Sequence, residues 1–117
     1  VVTANYDPPR EINIQLGHKD VNLEAFEHGA QQYAIKKLTA GDRLYTGRQK
    51  NALFNSSGRL VLYFSKRFSS EIEEKWINKG YFIDSAQARF ILVWKDKADE
   101  KECRIVLPNL RLIKKMN

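Results

Sequence analysis

Cysteine is nearly absent from this chain: among 117 residues Cys103 is the only one. It has no partner for an internal disulfide, which excludes a disulfide-stapled secreted fold and points to a reducing, intracellular setting. Long apolar runs are missing as well. The longest, Leu60 to Phe64 and Phe90 to Trp94, have the length of a strand and fall far short of the roughly eighteen residues of a membrane span, so no membrane-spanning role is expected. No basic segment followed by an apolar stretch marks a secretory leader. Gly41, Gly47 and Gly58 stand singly at turns, so there is no glycine-rich phosphate loop. His18, His28 and Cys103 form no paired ligand motif, so neither a structural metal nor a cofactor is expected.

What is present suits one folded domain. Hydrophobic residues make up 43% of the chain and charged residues 29%, with thirteen aromatic side chains, Trp 2, Tyr 5 and Phe 6. That is an ordinary globular composition, at a length able to bury a single core. The chain starts at Val1 and its only methionine is Met116. It is therefore expected to be a single domain, 1–117, serving as a module of a larger protein.

The net charge of +6 is unevenly spread. Residues 1–35 carry −3 and residues 68–102 carry −2. Residues 36–67 hold eight basic groups against Asp42 alone, giving +7, and residues 103–117 hold four with no acid, giving +4. A polyanion partner fits such segregation, since lysine and arginine bind phosphates by displacing their counterions.

Periodicity places these charges. Asp7-Pro8-Pro9-Arg10 reads as an extended arm. Glu11 to Leu16 alternates, putting Ile12, Ile14 and Leu16 on one face of a strand. Asn22 is a good N-cap with Val21 stapled on Phe26, opening a helix expected over about 23–38 with Leu23, Phe26, Ala30, Tyr33, Ala34 and Leu38 as its apolar stripe. A short strand at Arg43-Leu44-Tyr45 sends Arg43 and Tyr45 outward together if Leu44 points inward. Asn55-Ser56-Ser57-Gly58 is a turn. Arg59 to Ser65 predicts a central strand covered on both faces. Ser70 and Glu73 predict a capping box and a helix to about Asn78, closed by Gly80. Tyr81 to Ile83 predicts a brief strand. Arg89–Lys95 and Cys103–Leu107 predict a hairpin with a charged tip over Asp96 to Glu102, and Pro108 is expected to interrupt the ladder. This order predicts an α+β fold: a mostly antiparallel, strand-rich sheet or partial barrel with two packed helices.

Signals for catalysis are weak. Glu24 and His28, four apart, read as an exposed ion pair. Cys103 lies in an ordinary strand sequence with no base marked beside it. Glu73-Glu74-Lys75 and Asp99-Glu100-Lys101 have the carboxylate-x-lysine form found in metal-dependent nucleases, but on a helix and in a hairpin tip they read as charged surface. Lys79-Gly80-Tyr81 matches the opening of the aromatic strand motif of RNA-recognition domains, yet Phe82-Ile83-Asp84 stand where its glycine and aromatics should follow.

The sequence therefore leads to a noncatalytic nucleic-acid-binding domain, with DNA preferred over RNA. Its expected contacts are Lys36, Lys37, Arg43, Tyr45, Arg48, Lys50, Arg59, Lys66 and Arg67. Arg111, Lys114 and Lys115 join them if the last strand lies beside the central one. The alternative is a protein-interaction or assembly domain.

Overall fold

Ile12 and Ile14 alternate with Glu11, Asn13 and Gln15, and this period of two makes β1 (Glu11–Gln15) a strand with one half-buried and one exposed face. The computed structural model describes residues 9–27, 29–95 and 102–115. After β1 come a 3₁₀ turn (Glu24–Glu27), α1 (Gly29–Lys36), β2 (Arg43–Leu44), β3 (Ala52–Phe54) and β4 (Leu60–Tyr63). Then follow α2 (Lys66–Lys75), a second 3₁₀ turn (Ile77–Lys79), β5 (Tyr81–Lys95) and β6 (Glu102–Lys114). Every strand pair is antiparallel, in a four-stranded sheet of order β1-β6-β5-β2 and a separate hairpin of β3 and β4. The fold is α+β, as predicted, and the sheet does not close into a barrel. Single bridges, Tyr45 with Phe54 and Val21 with Phe64, tie the hairpin to the rest.

Several elements differ from the sequence reading. The helix expected over 23–38 is a 3₁₀ turn followed by the eight-residue α1. Its start is as predicted: the Ala25 N–H donates to Asn22 Oδ1 at 3.3 Å, and Val21 and Phe26 are buried. Gly29, the poorest helix former in the stretch, stands where α1 begins. The second helix begins at Lys66, capped by Ser65, whose Oγ accepts from the Phe68 N–H at 3.1 Å; the Ser70–Glu73 capping box does not form. Ser65 wins because its cap places Phe68 edge-on against Phe64, with ring centres 5.2 Å apart, in the core.

β4 is buried as expected, with Val61 and Leu62 inaccessible, but among the described strands it pairs with β3 alone. The centre of the larger sheet belongs to β5 and β6. The brief strand at Tyr81 and the later one at Arg89 are a single β5, entered through Gly80 at φ 94° and bent by bulges at Ile83/Ser85 and Ala88/Phe90. Pro108 does not end β6. It stands opposite Ala88, which bonds toward β2, while its own carbonyl faces the β1 side and accepts from the Leu16 N–H at 3.0 Å just past the end of β1, where its missing N–H breaks no strand pair. The predicted hairpin is present, with Lys95 opposite Glu102; its tip, 96–101, and His28 lie outside the described residues.

The core runs between the sheet, the hairpin and the first helical segment. Leu16, Phe26, Ile35, Leu44, Leu53, Leu62, Leu110 and Leu112 are fully buried, each contributing about 1.5–3 kcal/mol. Among the described residues Gln31 is the buried polar exception, its Nε2 donating to the Val61 carbonyl at 3.2 Å.

Candidate nucleic-acid interface

The turn between β3 and β4 positions Arg59. Asn55 Oδ1 accepts from the N–H groups of Ser57 at 3.0 Å and Arg59 at 2.9 Å, and Gly58 takes the left-handed conformation at φ 78° that closes the turn. Arg59 is thereby delivered to the start of β4, beside α1. Its guanidinium carbon lies 5.1 Å from the centre of the Tyr33 ring, and Lys37 Nζ, one helical turn beyond Tyr33, lies 4.4 Å from the same ring. The Lys37 hydrogen bond and charge, with Arg59 adding to them, hold the Tyr33 phenol below the ordinary tyrosine value.

Beside this trio, Leu44 is buried and Arg43 and Tyr45 emerge together, as the strand period requires. The Arg43 guanidinium carbon is 5.2 Å from the Tyr45 ring centre. A cavity of about 310 Å³ lies between the end of α1 and the hairpin turn, lined by Lys37, Arg43, Tyr45 and Asn55–Ser57 with Asp42. Asp42 is engaged by the backbone, accepting from the Thr39 N–H at 2.8 Å. A shallower depression continues from it past Tyr45 to Arg48 and Gly58. Gly47 holds this loop close: a Cβ there would come within 2.7 Å of the Phe54 ring.

The structure thus gathers Lys37, Arg43, Tyr45, Arg48 and Arg59 around one turn. Tyr33, read from sequence as part of the apolar stripe, is 48% exposed and belongs with them; Tyr45 is 40% exposed. Lys37 four residues on was the available signal for Tyr33. Among the described residues no carboxylate forms an ion pair with these four cations.

The other expected contacts lie elsewhere or are engaged. Lys36 is exposed at the end of α1, and Lys66 and Arg67 form the first turn of α2, where Arg67 meets Asp20 at 3.5 Å and Glu71 at 3.6 Å. Lys50 and Lys115 line a different, more apolar cavity of about 500 Å³ with Phe64, Ile72, Glu73 and Tyr81. Lys114 ends β6 opposite Tyr81. The condition placed on Arg111, Lys114 and Lys115 is not met, because β6 pairs with β1 and β5 and not with β4. Arg111 is held by Glu11 at 2.8 Å and Asp84 at 3.3 Å. That hydrogen bond holds the Glu11 carboxyl below its usual value.

Among the described residues no helix is long and apolar enough to cross a membrane, and no group of three or more His, Cys, Asp or Glu side chains could hold a metal. What the fold defines is an α+β domain. Comparison with protein-family models, curated proteins and solved structures finds no match to the chain.

Proposed function

We propose that this is a noncatalytic nucleic-acid-binding domain that grips phosphates with Lys37, Arg43, Arg48 and Arg59 and lays Tyr33 and Tyr45 against sugars or bases. One observation carries the reading: two exposed tyrosine rings on one surface each lie under a basic group, and no described carboxylate pairs with those cations. Phosphate contacts supply affinity and an aromatic face supplies sequence-tolerant stacking. DNA is the preferred ligand, since no RNA motif is complete.

Fluorescence anisotropy with labelled duplex DNA, single-stranded DNA and RNA at low salt tests this. Arg48→Glu with Arg59→Glu is expected to weaken binding at least 10-fold, at about 1 kcal/mol or more for each reversal. Lys75→Glu with Lys79→Glu, at the end of α2 and in the 3₁₀ turn after it, is expected to change it less than 3-fold. Equal losses, or no binding at low salt, would refute the reading.

A second reading, assembly with another protein, rests on the outer edge of β5. β2 covers that edge only to Ala88, and beyond it Phe90, Leu92 and Val93 are 41%, 46% and 58% exposed. An apolar edge strand is a template for pairing, and here the charge that borders it, Arg89, stacks on Phe90 with its guanidinium carbon 5.3 Å from the ring centre. If it assembles the protein, Leu92→Lys lowers the mass measured by sedimentation at tens of micromolar; a wild-type monomer at that concentration removes this reading.

A further inference from the structure

The face of the four-stranded sheet turned away from the core is polar across all four strands. The registers align Gln15, Asn109, Gln87 and Arg43 in one row, and Asn13, Arg111 and Ser85 in the next. The row between them, Ile14, Leu110, Ala86 and Leu44, points the other way into the core. The two bulges in β5 bracket the segment Ser85–Ala88, and bulges add twist and bend to a strand. Over that segment lies a cavity of about 490 Å³, lined by Asn13, Arg43, Gln87, Asn109 and Arg111 among others.

We propose that this cavity reads nucleobase edges, receiving a base from a strand whose phosphates lie on the adjoining basic face; the inference rests on the nucleic-acid-binding reading above. Three observations support it. Arg43 lines both cavities, so the two surfaces are continuous. Charge in the sheet-face cavity is offset: Arg111 donates to Glu11 and Asp84, leaving Arg43 as the cation at the rim. Such a site suits a neutral, hydrogen-bonding ligand better than a phosphate. Finally, Asn109 Oδ1 is buried and has no hydrogen-bond partner, although buried acceptors are nearly always satisfied. Exposed Gln15 and Gln87 flank it in the row, with Arg43 beyond Gln87; turning Gln87 and Arg43 onto a ligand opens the Asn109 amide to a base N–H. Side-chain amides and guanidinium groups match the paired donors and acceptors of base edges.

The test is fluorescence anisotropy of the whole chain at low salt, with a labelled 12-nucleotide single strand of mixed sequence and with the same strand made abasic at its central positions. The abasic strand is expected to bind about 10-fold more weakly. Asn109→Leu with Gln87→Leu abolishes that difference and leaves the weaker affinity in place, while Arg48→Glu weakens both strands alike. Thermal melting checks that the variants fold; Asn109→Leu alone is expected to hold or raise the melting temperature, because it removes an unsatisfied acceptor.

Equal binding of the two strands by the wild type overturns the base-reading site and leaves the basic face standing. A difference that survives in the double variant also overturns it, and assigns base dependence to Tyr33 and Tyr45. If neither strand binds, the nucleic-acid reading itself fails.

Discussion

Replacing Gln32 by alanine is expected to lower the unfolding free energy by about 3 kcal/mol, read as a lower urea midpoint with an unchanged slope. Gln32 on α1 stands in for a missing strand at the outer edge of β6. β1 covers that edge only as far as Leu16 bonding to Pro108. At Arg104 the edge is met by the Gln32 side chain, whose Oε1 accepts from the Arg104 N–H at 2.9 Å while its Nε2 donates to the Arg104 carbonyl at 3.0 Å. The same Nε2 donates to the Phe26 carbonyl at 2.5 Å. Alanine leaves these three part-buried backbone groups without that partner, and each unmade bond costs about 1–3 kcal/mol. Gln32→Glu discriminates the cause. It keeps the acceptor for Arg104 N–H but turns a carboxylate toward two carbonyls, so it is expected to destabilise at least as much as alanine at neutral pH and to recover as the pH falls and the carboxyl becomes a donor. A Gln32→Ala loss below about 1 kcal/mol would mean that the edge finds other partners.

The second large effect is on binding. If Lys37, Arg43, Arg48 and Arg59 each neutralise one phosphate, the logarithm of the affinity falls against the logarithm of salt with a slope of about −3.6 for duplex DNA and about −2.8 for a single strand. Between 50 and 200 mM salt that is a loss of roughly 100-fold. Reversing Arg48 and Arg59 is expected to flatten the slope by about two units, whereas Tyr45→Ala lowers affinity without changing it. A wild-type slope shallower than about −1 would show that these cations do not act together on phosphates.

Legibility followed the range of the interactions. The Arg43–Tyr45 pair, the Asn55–Gly58 turn, the Gly80 cap and the β5–β6 hairpin are built by contacts between near neighbours, and β1, though it pairs with distant β6, shows in the alternation of its own residues. The start of α2 is not legible locally because Ser65 and Ser70 are both competent caps, and the choice rests on Phe68 reaching Phe64 in the core. Pro108 is a similar case: a proline is tolerated inside β6 because its N and C=O face the β1 side just where β1 ends, so no ladder bond within a strand pair is lost. Helical spacing puts Tyr33 in the stripe but does not say how wide a buried stripe is, and at eight residues α1 buries only Gln31, Ala34 and Ile35.

By itself the sequence determined the α+β class, the single apolar core and the concentration of +7 within residues 36–67, because composition and periodicity act locally and additively. Which of those charges meet was decided by the tertiary structure alone. Packing α1 beside the β3–β4 hairpin brings Lys37 and Arg59 to the same tyrosine ring across 22 positions of chain, while ion pairs engage Arg67 and Arg111 elsewhere. The polar row of Gln15, Asn109, Gln87 and Arg43 has the same origin: four separate strands contribute it, and only the sheet register sets those side chains in line.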